Sequence, residues 1–161
     1  MGPLKIKSGP GPKGRTGVWV EFDVDGQATF VPREDWVGVD LDGTLSSTDN
    51  PGHFEPPYPL GEPVLAMLEM VKSLLVAGVT VKIFSARACE PENIPIIQDW
   101  AVKHGLGKLE VTNQKDFNLI RFYDDRAIQI CPNRGVSVAA VMGGAKLFQE
   151  SAQQFYQRPS A

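Results

Sequence analysis

From Trp36 onward the chain alternates short apolar runs with stretches of helical periodicity, the signature of βαβ units built around a parallel sheet. Val37–Leu41 and Val79–Phe84 read as the first two strands, Leu109–Thr112 as a weaker third, Leu119–Tyr123 as a fourth and Gly135–Val141 as a fifth. A helix is expected from Pro63 to Ala77, with Val64, Met67, Leu68, Val71, Leu74 and Leu75 on one face and Gly78 placed to end it. A second is expected from Ile94 to His104, with Asn93 as its cap and Ile97, Trp100 and Ala101 turned inward, and a closing helix from Ala145 to Tyr156. The 161 residues suit one domain, and 42% hydrophobic against 22% charged content is far from the composition of disordered chains.

The first 35 residues read differently. Residues 1–17 hold eight Gly or Pro and four cations, Lys5, Lys7, Lys13 and Arg15, with no acid, which predicts a flexible basic arm. Residues 18–35 predict a β-hairpin extension, because Val18, Val20 and Phe22 alternate ahead of Asp25-Gly26 and Ala28 and Phe30 follow it. A formal charge of −3 argues against a protein that coats nucleic acid or an anionic membrane by charge alone. Lys5, Lys7, Gly and Pro stand where a secretory signal needs an apolar run, so a soluble, cytoplasmic protein without a membrane partner is expected. Cys89 and Cys131 are too few for a disulfide framework or a four-ligand zinc site and read as free thiols.

In open parallel sheets the reactive groups stand just past the carboxyl ends of the strands, so the residues at which each apolar run stops are the informative ones. Asp40 closes the first run and Asp42-Gly43-Thr44 follow it; Ser85 and Arg87 follow the second, Lys115 the third, and Asp124-Asp125 the fourth. Carboxylate, hydroxyl, ammonium and paired carboxylate form a set suited to phosphoryl transfer. On a strand, side chains two apart share a face, so Asp40 and Asp42 can meet one site while Leu41 turns to the core. One carboxylate can attack phosphorus, while the other gives a proton to the leaving oxygen and then activates water. Gly43 permits a close turn around a phosphate, and Thr44 and Ser85 can donate to its oxygens. So many carboxylates beside a phosphate need a cation; magnesium suits an all-oxygen cluster without Cys or His, and Lys115 adds a second positive charge.

The sequence carries its own control. Asp23-Val24-Asp25-Gly26 starts like Asp40-Leu41-Asp42-Gly43 but runs on into Gln27-Ala28-Thr29-Phe30, a returning strand, and reads as hairpin only. A receiver domain also gathers Asp, Ser or Thr and Lys around magnesium, but it places its acidic pair first and its Lys last, the reverse of the order here. His53 and His104 show no ligand spacing and read as a loop and a helix-end histidine.

Asp40-Leu41-Asp42-Gly43-Thr44, Ser85, Lys115 and Asp124-Asp125, in that order, resemble the motifs of the haloacid dehalogenase-like (HAD) superfamily of phosphohydrolases. The short spacing, Ser85-Ala86-Arg87 and Asp124-Asp125-Arg126 are similar to phage-associated members and to the 3′-phosphatase domain of bacteriophage polynucleotide kinase. The likeness spans about residues 36–142 within an expected domain of 36–157. It implies an α/β fold of the three-layer Rossmann-like type, extended by the N-terminal hairpin and carrying only a minimal cap. It further implies Asp40 as nucleophile and metal ligand, and Asp42 as general acid and base that also touches the metal through its backbone carbonyl. Ser85 and Lys115 would hold the phosphoryl group, Asp124 and Asp125 would serve the magnesium ion, and Arg87 would contact substrate, although a surface arginine at a helix start accounts for it equally well.

Members of that superfamily select substrates largely through cap insertions, and here the two candidate positions are short: 18 residues between Thr44 and Pro63, and 29 between Ser85 and Lys115. The expected enzyme is therefore an open, magnesium-dependent phosphomonoesterase that works through an aspartyl phosphate. Its substrate would be a nucleotide or a nucleic-acid 3′-phosphate, with the site exposed or closed over by a second copy of the chain. His53, Phe54 and Tyr58 on the proline-rich flap could stack on a base, and packing of the flap on its own domain is the alternative use. Two further alternatives remain: a HAD-like fold serving as a non-catalytic binding or regulatory module, and a phosphatase of sugar phosphates or phosphoproteins.

Overall fold

The computed structural model describes residues 4–22 and 26–142, and the chain divides into two compact units, residues 1–125 and 126–161. The first unit is a mixed α/β body with two sheets. One is antiparallel, in the order β1 (Lys5–Ser8), β2 (Gly17–Glu21), β3 (Thr29–Pro32). The other is parallel and contains β4 (Trp36–Val39), β5 (Thr80–Phe84), β6 (Glu110–Thr112) and β7 (Leu119–Tyr123) in the spatial order β6-β5-β4-β7. Because β5 and β6 are laid down on one side of β4 and β7 on the other, the chain reverses its direction of growth at β4. The crevice past the carboxyl ends of β4 and β7 is thus a topological switch point, the place where open parallel sheets bind ligands.

The parallel sheet forms where the apolar runs predict it. All four residues of β4 are buried, as befits a central strand covered on both faces. Helix α1 (Leu65–Val76) buries Leu68, Met70, Val71 and Leu74, and α2 (Asn93–Lys103) buries Ile97, Trp100 and Ala101. Each large apolar side chain so buried contributes about 1.5–3 kcal/mol on leaving water. Val20 and Val31 of the antiparallel sheet join the same core as Val37, Val39 and Ile83. Arg121 of β7 donates to the Thr29 hydroxyl at 2.9 Å and its guanidinium lies 5.4 Å from the Phe22 ring.

Three expectations are corrected. Residues 1–17 are not wholly a flexible arm, because Lys5–Ser8 is strand β1, paired with β2 in the register Lys5↔Glu21 and Ile6↔Val20. Ile6 packs against the core, while Lys5 pairs with Glu21 at 3.5 Å and Arg15 pairs with Glu34. Residues 135–141 do not form a fifth strand: Ser137 makes a single bridge to Ile130, and its Oγ then accepts from the Ala140 N–H at 3.0 Å to open α3 (Val138–Met142). Asn93 does not cap α2, since Glu92 holds the cap position and the Asn93 amide donates instead to the Arg87 carbonyl at 3.1 Å. The hairpin strands pair as expected, with Val18↔Val31 and Trp19↔Phe30. Asp23 and Asp25, and the helix expected at 145–156, lie outside the described residues. Cys89 and Cys131 are free thiols, and among the described residues no helix is long and apolar enough to cross a membrane.

Candidate active site

Strand β4 ends at Val39, and Asp40 extends its ladder by one bond, donating its N–H to the Tyr123 carbonyl at 2.8 Å. The chain then turns sharply: Leu41 is fully buried, and its carbonyl accepts from Leu45 N at 3.0 Å and Ser46 N at 2.8 Å. Simple strand alternation therefore does not place the two carboxylates. The turn does, and it gives them different partners.

Asp40 meets the acidic pair at the end of β7. One carboxylate oxygen from each of Asp40, Asp124 and Asp125 lies within 4.8 Å of the others, and the Thr44 hydroxyl stands between Asp40 Oδ2 at 3.4 Å and Asp125 Oδ1 at 3.3 Å. Gly43 makes this approach possible. Its φ is +85°, and a Cβ there would lie 2.6 Å from Asp125 Oδ2. The Asp40 carboxyl is pushed up to about 7, first by burial, then by its hydrogen bond with Asp125 and the charges of Asp124 and Asp125, against a lowering backbone hydrogen bond at Leu41. At about 4 Å, two like charges repel by about 1 kcal/mol in bulk water and about 4 kcal/mol at the effective dielectric of a protein surface. An all-oxygen cluster under that repulsion, without Cys or His in it, has the donor chemistry of a hard divalent cation site.

Asp42 stands outside the cluster. Its Oδ2 accepts from Arg87 Nε at 2.7 Å and its Oδ1 from Arg87 Nη2 at 2.8 Å, the parallel fork of a bidentate pair. The remaining Arg87 nitrogen, Nη1, donates to the Tyr58 carbonyl at 2.6 Å. Arg87 is thereby a bridge between the first turn and the flap, not a surface side chain. Ser85 is buried at the end of β5, where its Oγ accepts from Arg87 N at 3.2 Å and fixes the 3-10 turn Ala86–Cys89 that carries the guanidinium.

One residue of this site had no signal in the sequence beyond its presence on the flap. His53 is buried to 4% exposure, with Nε2 3.4 Å from Asp42 Oδ1 and Nδ1 buried without a hydrogen-bond partner among the described residues. The edge of one ring of the His53–Phe54 pair meets the face of the other at 4.8 Å between centroids, while Phe54 itself is exposed.

Among the described residues no ion pair ties Lys115 to the cluster. Six residues, 113–118, lead from the carboxyl end of β6 to the amino end of β7, three strands away. By Asp116 the chain has reached Trp36, the first residue of β4, whose indole N–H donates to Asp116 Oδ1 at 2.7 Å. Lys115 is exposed one residue earlier and makes no ion pair with Asp40, Asp124 or Asp125. Arg87 is a cation bound directly to Asp42 of the first turn.

Among the described residues, clefts of two sizes lie against the first unit. The smaller, about 260 Å³, runs between the flap and the start of α2 and reaches Arg87. The larger, about 550 Å³, opens at the amino end of β5 beside Gly17, Arg33 and Thr80 and contains none of the acidic residues. Its place at the wrong end of the strands separates it from the site described here. Comparison with family models, with curated proteins and with solved structures yields no match to this chain.

Proposed function

We propose that the chain is a magnesium-dependent phosphomonoesterase of HAD type, with Asp40 as nucleophile. The observation that carries this reading is the meeting of Asp40 with Asp124 and Asp125 at the switch point, beside an Asp42 gripped by Arg87. Asp40, Asp124 and Asp125 would hold the metal ion, which when bound offsets the negative charge of the carboxylates and of the transferring phosphoryl group.

The Asp40 carboxylate attacks phosphorus as the bond from phosphorus to the leaving oxygen breaks, and Asp42 gives that oxygen a proton. Asp42 then takes a proton from water, the hydroxide attacks phosphorus, and the acyl phosphate bond breaks to return Asp40 and inorganic phosphate. Both oxygens of Asp42 are engaged by Arg87, and each keeps a second lone pair on which a proton can be carried while the guanidinium stays in place. Thr44, whose hydroxyl lies beside Asp40, and Ser85, at the end of β5, would donate hydroxyl hydrogen bonds to phosphate oxygens. The short flap and open site favour a phosphate at the end of a larger molecule, a nucleotide or nucleic-acid 3′-phosphate. With Lys5 and Arg15 paired to Glu21 and Glu34, an electrostatic contribution from the N-terminal segment falls mainly to Lys7 and Lys13.

One observation favours a second reading, a metal-binding module without turnover: Lys115, the expected phosphate cation, is exposed and makes no ion pair with the cluster among the described residues. Hydrolysis of an aryl phosphate with and without magnesium separates the two. Turnover that needs the metal and is lost in Asp40→Asn supports the enzyme; metal binding without turnover supports the module.

A further inference from the structure

We infer that the cleft between the flap and α2 is a subsite for the flat heterocycle of the leaving group, a nucleobase. This rests on the phosphatase reading for its place in the reaction, but the cleft itself stands on separate residues. Arg87 joins the two: Nε and Nη2 hold Asp42, and Nη1 holds the Tyr58 carbonyl in the cleft wall. A leaving oxygen protonated by Asp42 therefore departs one guanidinium away from the cleft mouth.

The cleft has the size and lining for one ring system. Its volume of about 260 Å³ falls just under the roughly 300–1,000 Å³ of pockets that enclose drug-sized ligands. Tyr58 and Leu60 form one wall and Ile96 and Ile97 the other, and Tyr58 and Ile96 are 51% and 57% exposed, apolar surface that a ligand would cover. Asn93 uses Nδ2 on the Arg87 carbonyl at 3.1 Å, which leaves Oδ1 as an acceptor for a ring or exocyclic N–H. Apolar walls with one acceptor and a guanidinium at the phosphate end match a nucleoside phosphate. A sugar phosphate would leave the walls uncovered.

The test uses adenosine, which carries no phosphate, titrated into the full-length protein at millimolar concentration while the methyl resonances of Leu60, Ile96 and Ile97 are followed. It is paired with the ratio of kcat/KM for adenosine 3′-monophosphate to that for glycerol phosphate. Ile96→Trp fills the cleft from an exposed helix position. The expected result is shifts confined to the cleft methyls, lost in Ile96→Trp, together with a fall in that ratio of at least about tenfold, the lower end of what one apolar contact contributes to discrimination. Absent shifts, or a ratio unmoved by Ile96→Trp, overturn the subsite. Magnesium-dependent hydrolysis without adenosine binding leaves the phosphatase and removes the subsite; adenosine binding without hydrolysis of either ester does the reverse.

Discussion

Asp40 shows at the scale of one residue how a site can be destabilising and functional at once. Its carboxyl is raised from 3.8 to about 7, so the folded chain holds a proton that the unfolded chain has released. Between those values the folded state binds more protons, and stability contributed by this group is present below pH 4 and lost as the pH rises through 7. In EDTA the melting temperature should therefore fall from pH 5 to pH 8 by more in wild type than in Asp40→Asn, and at pH 8 the variant should melt higher while showing no turnover. Magnesium should raise the wild-type melting temperature more at pH 8 than at pH 5, where protons compete for the same oxygens. A variant that melts lower than wild type at pH 8 in EDTA would contradict the crowding of these carboxylates. Gly43→Ala acts on the same cluster from the backbone: the new Cβ meets Asp125 Oδ2 and the +85° φ is strained, at a cost of about 1 kcal/mol or more. Calorimetric titration should show magnesium affinity reduced about tenfold or more, with the fold retained.

At the scale of elements, what was legible in the sequence is what is local. Strands β4, β5 and β7 and both long helices follow from the apolar spacing, and the ends of β4 and β7 gave Asp40, Asp124 and Asp125 because adjacent parallel strands carry their terminal residues to one edge. A strand end read along the chain does not show that the link from β6 to β7 runs back toward Trp36, so the sequence alone does not fix where Lys115 stands. The sequence marked His53 as a flap residue that could stack on a base but not as a neighbour of Asp42, because a lone histidine between Gly52 and Phe54 has no periodicity and only the folded flap brings it there. The flap itself is a built element: Gly61 N donates to Ser46 Oγ at 2.9 Å, the Trp100 indole donates to the Gly61 carbonyl at 2.9 Å, and Ser47 N donates to the Glu62 carbonyl at 2.8 Å. A Cβ on Gly61 would fall 1.9 Å from the Ser47 carbonyl oxygen, a backbone atom with little freedom to move. Gly61→Ala should thus free the flap, and with it the Tyr58 carbonyl and His53. Proteolysis should cut within residues 48–60 faster than in wild type, and kcat/KM should drop by an order of magnitude or more with smaller loss of overall stability. Equal protease resistance in the two proteins would show that the flap is held elsewhere.

The N-terminal segment changes meaning only when the molecule is taken whole. As a sequence, Lys5-Ile6-Lys7-Ser8 has one apolar residue between cations and lies among Gly and Pro, too short a pattern to distinguish from a tail. As structure, it is the outer strand of an antiparallel sheet whose β2 and β3 send Val20 and Val31 into the core shared with the parallel sheet. Its lysines suit an edge, since Lys5 and Lys7 flank a strand that would otherwise offer unpaired N–H and C=O groups to another chain. Removal of residues 1–9 would strip β2 of that cover, exposing Val18 and Val20 on an edge with fewer charges. The expected outcome is a lower melting temperature and concentration-dependent association by light scattering, both insensitive to magnesium. A nucleic-acid role for the same segment makes a different demand: with the edge intact, Lys7→Gln and Lys13→Gln together should flatten the salt dependence of KM for an oligonucleotide 3′-phosphate by about two counterions' worth. The deletion and the double substitution therefore separate structure from binding. If the deletion leaves stability and solubility untouched, β1 is dispensable cover and only the electrostatic role remains for residues 1–9.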